Sequence, residues 1–171
     1  MNLKKEEKGN SGFYPNPVIL VSVKHKSMES IITLAWAGTC CSNPPMVSIG
    51  VRPERYSYEI LKNSGEFVIN FPTKDMLDSI EFCGTRSGRE YDKWKECHFT
   101  RTPSTVVTPP AIKECPVNIE CKIEQRIKLG THDLFIARVI TTHVDQDWKA
   151  AKYPDMLTYT RGRYGVVTIL D

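Results

Sequence analysis

The chain has 171 residues, 40% hydrophobic and 25% charged, which bounds it to one ordinary globular domain rather than a disordered or membrane-embedded polymer. Its 23 basic and 20 acidic residues leave a net charge of +3, too small and too dispersed for a nucleic-acid binder but compatible with a small anionic ligand. No apolar run is long enough to span a bilayer, and six cysteines without a secretory signal point to reduced thiols in a cytoplasm.

In chain order, residues 1–12 read as a polar, loosely ordered tail, leaving 13–171 as the folded domain. Residues 17–23 (Pro-Val-Ile-Leu-Val-Ser-Val) are β-branched and apolar, the pattern of a well-buried strand. Residues 30–36 continue in that style. Asn43-Pro44-Pro45 is a break, because two prolines remove two donors and fix two φ angles. Residues 46–51 predict a third strand. The period then changes: Tyr56, Ile60 and Leu61 share a helical face, and Gly65 closes that helix with a left-handed cap.

Residues 66–71 predict another strand, 74–83 a helix and 91–95 a short helix inside an irregular, proline-rich stretch. Two long strands follow, 117–127 and 134–144. In the first, Val117, Ile119, Cys121 and Ile123 alternate with Asn118, Glu120, Lys122 and Glu124, predicting a buried face and a wet one. By the same parity Cys115 and Cys121 share a face. A last strand pair, 157–160 and 164–170, flanks Arg161-Gly162-Arg163. The sum is a mainly β domain with short helices and mostly antiparallel connections. A closed or partly closed barrel is favoured, because closure removes sheet edges. No Gly-x-Gly-x-x-Gly and no βαβ rhythm are present, so a nucleotide would not be held as in a Rossmann domain.

The chemistry concentrates in residues 30–58. Arg52, Arg55 and Ser57 gather where the helix begins, and a helix N-terminus offers unpaired N–H groups and partial positive charge to a phosphate. No Cys-x-x-Cys or Cys/His quartet argues for a metal, and none is expected. Adjacent Cys40 and Cys41 suit packing near a ligand better than a disulfide, which would strain the peptide between them.

Taken together, Thr-Leu-Ala-Trp at 33–36, Ser-Asn-Pro-Pro at 42–45, Arg-Tyr-Ser-Tyr at 55–58, Gly-Glu-Phe-Val-Ile-Asn at 65–70, Ser-Gly-Arg-Glu-Tyr-Asp-Lys-Trp at 87–94 and Gly-Thr-His-Asp-Leu-Phe at 130–135 resemble the flavin reductase-like family of FMN-binding split barrels, which includes the flavoredoxins. The resemblance implies a split, antiparallel FMN-binding barrel. FMN would lie against Ser30, Thr33, Ala35, Trp36, Thr39, Cys40 and Cys41, with its phosphate near Arg55 and Ser57, Arg52 beside them, and Lys93 near the phosphate or the ring edge. It also implies His132 on the substrate side, Tyr159 and Tyr164 at the border of the site, and a homodimer. This chain has Ser30 where relatives frequently carry Asn, and Gly-Thr-His where they usually write Gly-Asp-His.

The activity implied is NAD(P)H-dependent flavin reduction, by hydride transfer to flavin N5. The alternatives are a flavoredoxin-type carrier with tightly bound FMN and a protein redox partner, or a barrel module for another ligand.

Overall fold

In the computed structural model, which describes residues 8–9, 13–150 and 155–168, strand propensity and proline placement divide the described residues into twelve strands and four α-helices. They are β1 (Asn16–Pro17), β2 (Ile19–His25), β3 (Met28–Leu34), β4 (Ala37–Ser42), β5 (Pro45–Val51), α1 (Tyr56–Ser64), β6 (Glu66–Phe71), α2 (Leu77–Thr85), α3 (Lys93–Glu96), β7 (Arg101–Thr102), β8 (Ala111–Ile112), β9 (Val117–Lys128), β10 (Asp133–Val144), α4 (Gln146–Ala150), β11 (Leu157–Thr160) and β12 (Arg163–Val166). Apart from Lys8 and Gly9, the expected N-terminal tail lies outside the described residues, as does the end of the last expected strand.

Seven strands form one antiparallel sheet in the order β3-β2-β6-β9-β10-β5-β4. Its two edges, β3 and β4, are consecutive in sequence and joined by Ala35-Trp36 alone. The chain thus crosses the opening of a split barrel at the tetrapeptide Thr-Leu-Ala-Trp. Gly50 N–H donates to the Trp36 carbonyl at 2.7 Å, tying the crossing to β5. A Cβ at Gly50 would stand 3.1 Å from Trp36 Cβ, so the close approach suits glycine.

β2 shows why the sheet is buried on both faces. Ile19, Val21 and Val23 enter one core with Ile49, Phe67, Phe135 and the α1 residues Tyr58, Ile60 and Leu61. Leu20, facing the other way, joins Val18, Ile31, Ile80, Cys83, Trp94 and Ile112 beneath α2 and α3. The next residue on that face, Ser22, is also fully buried, and its hydroxyl donates to the Pro110 carbonyl at 2.6 Å. Gly65 takes φ 69° and caps α1 through its N–H to the Leu61 carbonyl, as the Asn-Ser-Gly signal predicts.

Several expectations change. Residues 37–42 form a strand that was not anticipated, and Asn43-Pro44 turns the β4–β5 hairpin. The helix expected over 74–83 is a 3₁₀ turn, Lys74–Met76, followed by α2. Glu120 is not on a wet face: it is fully buried, because the segment 105–107 folds over β9. Its carboxylate accepts from Thr105 N–H (2.7 Å), Thr105 Oγ1 (2.9 Å), Val106 N–H (2.7 Å) and Val107 N–H (3.1 Å), and contacts His143 Nε2 at 2.9 Å. Cys115 and Cys121 do not share a face. Cys115 precedes β9 and belongs to the second core, whereas Cys121 belongs to the first.

Candidate functional site

Helix α1 starts at the end of β5, so its N-terminus faces the split. The residue at its N-cap position, Arg55, has extended backbone and makes no side-chain capping bond; Tyr58 N–H donates back to the Arg55 carbonyl at 3.0 Å, and no side chain claims the N–H groups of Tyr56 and Ser57. Around this end the structure gathers Arg52, Arg55 and the buried Ser57 with Arg86, Ser87, Gly88 and Arg89, which follow α2, and with Lys93 at the start of α3. They line a cavity of about 490 Å³.

The cationic wall is held in place. Arg89 Nη1 donates to the Glu54 carbonyl at 3.4 Å, and its guanidinium lies 5.4 Å from the Tyr56 ring centre. Arg52 pairs with Glu54 at 3.5 Å. Lys93 is only 5% exposed; its ammonium donates to the carbonyls of Ile31 (2.8 Å) and Cys83 (2.7 Å). Burial pushes this lysine below its ordinary value, and the positive charge of Arg55 adds to the shift. Gly88 is where the loop turns against the barrel: a Cβ there would lie 2.3 Å from Ser30 Oγ and 2.7 Å from Tyr56 Cδ1.

A second cavity of about 490 Å³ shares Ile32, Arg52, Arg55 and Thr85 with the first. It runs along Thr33, Leu34, Ala35 and Trp36 to His132, with Tyr159 and Tyr164 on its border. Thr33 Oγ1 donates to the Ile80 carbonyl at 2.6 Å, pinning β3 to α2. A third, more open cavity of about 650 Å³ shares Ala35, Trp36, Gly50 and His132 and reaches Phe13 and Leu129. The result is one groove, cationic at one end and aromatic at the other.

At the aromatic end Trp36 and His132 stack, with centroids 5.3 Å apart and planes 10° from parallel. Thr131 Oγ1 lies 2.9 Å from His132 Nδ1, so the residue that replaces the family's usual Asp still holds the imidazole. Burial lowers the His132 pKa, and the charge of Arg52 reinforces this. The next residue, Asp133, is buried and accepts from the Tyr58 hydroxyl, while Arg126 Nη1 donates to the same hydroxyl at 3.3 Å. The hydrogen bond to Asp133 raises the Tyr58 pKa. This contact ties the β9–β10 turn to α1, and so ties the two ends of the groove to one helix.

Of the residues singled out from sequence, Thr33, Ala35, Trp36, Arg52, Arg55, Ser57, Lys93 and His132 line the groove. Ser30 is buried behind Gly88 and supports that loop rather than lining a cavity. Thr39, Cys40 and Cys41 lie farther along edge strand β4 and line none of the three cavities; Cys40 is exposed and Cys41 half-buried, not packed into a core. Sequence reasoning missed Arg86 as a wall residue and did not assign Ser87, Gly88 or Arg89 a role. Their signal was present, as a basic loop of Thr85-Arg86-Ser87-Gly88-Arg89 directly after a helix.

Fold and groove together define a split-barrel protein with a cleft for an elongated ligand that is anionic at one end and flat at the other. The model of the flavin reductase like domain matches residues 11–168, and the chain belongs to that family. A flavoredoxin of Desulfovibrio vulgaris (Miyazaki F) superposes with a TM-score of 0.89 at 27% identity, covering 98% of this chain and 95% of its own. The flavoredoxin of Methanosarcina acetivorans gives 0.89 at 28% identity, with 99% and 94% covered. In sequence, an uncharacterised protein of Pyrococcus abyssi is 31% identical over 140 residues, 81% of this chain and 80% of that protein. The chain is thus a flavin-related oxidoreductase or electron carrier of the split-barrel type.

Proposed function

We propose that this protein binds FMN in the groove and passes electrons from NAD(P)H through it. The observation that carries the reading is the continuity of the groove from the open N-terminus of α1, with Arg52, Arg55, Arg86, Arg89 and Lys93 around it, to the Ala35-Trp36 crossing and His132. The cationic end fits a phosphate: it offers first-turn N–H groups, the Ser57 hydroxyl and guanidinium forks. The Gly88 backbone packs where any side chain would collide with Ser30 and Tyr56, which seats the loop carrying Arg86 and Arg89 against the barrel beside this end. When bound, the flavin would supply the hydride acceptor, a chemistry its ring carries and no side chain here provides.

The chain's own residues bind, orient and exclude. Arg55, Ser57 and Lys93 anchor the phosphate, Thr33 to Trp36 provide the wall for the ring, and His132 with Trp36 forms the platform where nicotinamide approaches. The catalytic role assigned to His132 is to orient the reductant, because hydride transfer between stacked rings needs no side-chain acid. The open outer cavity beside the exposed Phe13 and Leu129 supports a homodimer in which a second copy covers the site.

A second reading, a carrier of the flavoredoxin kind served by a protein redox partner, is supported by the two flavoredoxin superpositions. An FMN titration followed by anaerobic NADH and NADPH titrations separates them. Bleaching of the bound flavin by either nucleotide supports the reductase. Tight FMN binding without bleaching supports the carrier, and failure to bind FMN rejects both.

A further inference from the structure

Behind the cationic cavity lies a pair of thiols that flavin binding does not use. Cys83 is on α2, lines the cavity wall and is 1% exposed; its carbonyl is one of the two that hold Lys93. Cys97 follows α3 and is half-buried. Their sulfurs are 3.7 Å apart, and Cys97 Sγ also lies 3.9 Å from the Ser79 carbonyl, one helical turn before Cys83. Thiols in this contact need a closure of less than ~2 Å to reach the bonded distance of about 2.05 Å.

We propose that Cys83 and Cys97 form a thiol–disulfide site, oxidised to an intramolecular bridge by low-molecular-weight disulfides such as glutathione disulfide. The two cysteines divide the work by exposure. Cys97 is half-buried and open to solvent, whereas Cys83 is 1% exposed with its sulfur against that of Cys97. The electrostatics agree with that division: the hydrogen bond from Cys83, aided by the charge of Lys93, pulls the Cys97 thiol below its ordinary range against the opposing effect of burial. The same contact and burial push Cys83 up.

Cys97, having lost its proton to solvent, attacks one sulfur of glutathione disulfide. That S–S bond breaks, one glutathione leaves as thiolate, and Cys97 carries a mixed disulfide. The Cys83 sulfur then attacks Cys97 Sγ. The new S–S bond forms as the Cys97–glutathione bond breaks, and the second glutathione leaves with the Cys83 proton. Two protein thiols lose two electrons, and one glutathione disulfide becomes two glutathiones.

The bridge would join α2 to α3 across the wall of the cationic cavity. A third thiol, Cys115, packs in the same core and is the internal competitor. Geometry separates the two: it is Cys83 whose sulfur meets that of Cys97, at 3.7 Å.

The test uses the native, reduced protein with glutathione disulfide, raised until the exposed Cys40 has reacted, followed by alkylation and peptide mapping. The expected product links Cys83 to Cys97, with no glutathione retained on Cys97. In Cys83→Ala the adduct on Cys97 should persist, and in Cys97→Ser the Cys83 thiol should stay free. A lasting adduct on Cys97 in the unaltered protein, a Cys97–Cys115 bridge, or both thiols free after Cys40 has reacted would each overturn the proposal. None of these results depends on whether flavin binds.

Discussion

The indole of Trp36 and the imidazole of His132 lie nearly parallel, 5.3 Å between centres, at the point where the chain crosses from one sheet edge to the other. Trp36 comes from the crossing itself and His132 from the β9–β10 turn, so the stack closes the split barrel at its aromatic end. Thr131, beside Nδ1, fixes the ring orientation.

Under the proposed function, His132 serves the reductant rather than flavin binding. His132→Ala should raise KM for NAD(P)H severalfold while FMN affinity changes by less than about threefold, a stacked pair contributing roughly 0.5–1.5 kcal/mol. Steady-state kinetics beside an FMN titration checks the split. Because the folded-state pKa is depressed, the ring should titrate in NMR below the unperturbed value of about 6.5. Its contribution to stability is complete above about 6.5 and is lost as pH falls from there through the folded-state pKa.

Arg55 and Ser57 are predicted to act on the phosphate alone. Arg55→Ala with Ser57→Ala should weaken FMN by several kcal/mol at most, since each charge-assisted bond contributes roughly 1.5–3 kcal/mol. Riboflavin, which lacks the phosphate, should bind the double variant as it binds the unaltered chain. Fluorescence titration with both flavins decides, and an equal loss for the two would reject this placement of the phosphate.

Gly88 gives a steric prediction. Alanine there meets Ser30 Oγ at 2.3 Å, the Tyr56 ring at 2.7 Å and Ser30 Cβ at 3.2 Å. The loop must move, at a cost of about 1–3 kcal/mol. Thermal unfolding should show the lower Tm, and FMN affinity should fall because Arg86 and Arg89 travel with the loop. An unchanged Tm would show that the loop yields without cost.

Glu120 governs acid stability. Burial alone would raise its pKa, but the hydrogen bonds from Thr105, Val106 and His143 outweigh that and bring it down to about 2. A carboxylate lowered this far contributes stability that is complete above its unfolded pKa, about 4.3, and is lost as pH falls toward 2. Urea unfolding at pH 7 and pH 3 should therefore differ less in Glu120→Gln than in the unaltered protein, by about 1.5–2 kcal/mol.

The sequence by itself determined the strands whose residues repeat with period two, the helix closed by Gly65, and the cluster of Arg52, Arg55 and Ser57 at a helix start. Those signals are local: β-branched runs, a proline, a glycine cap. Strand β4 escaped because Gly38, Thr39, Cys40 and Cys41 carry no alternation, and only pairing with β5 makes them a strand. Glu120 read as solvent-facing because the loop that covers it comes from residues 105–107, beyond the reach of any periodicity along β9.

The aromatic end of the groove was legible only through resemblance, and tertiary structure decided its partners. Trp36 and His132 are 96 positions apart in the chain, counted from their own numbers, and meet because β4 and β10 both pair with β5. Arg86 likewise enters the cationic wall because α2 ends beside α1, a placement set by the packing of Ile80 and Cys83 under the sheet. Composition and spacing can place residues on elements. Which elements meet is decided by the burial of two faces of one sheet, and the site follows from that.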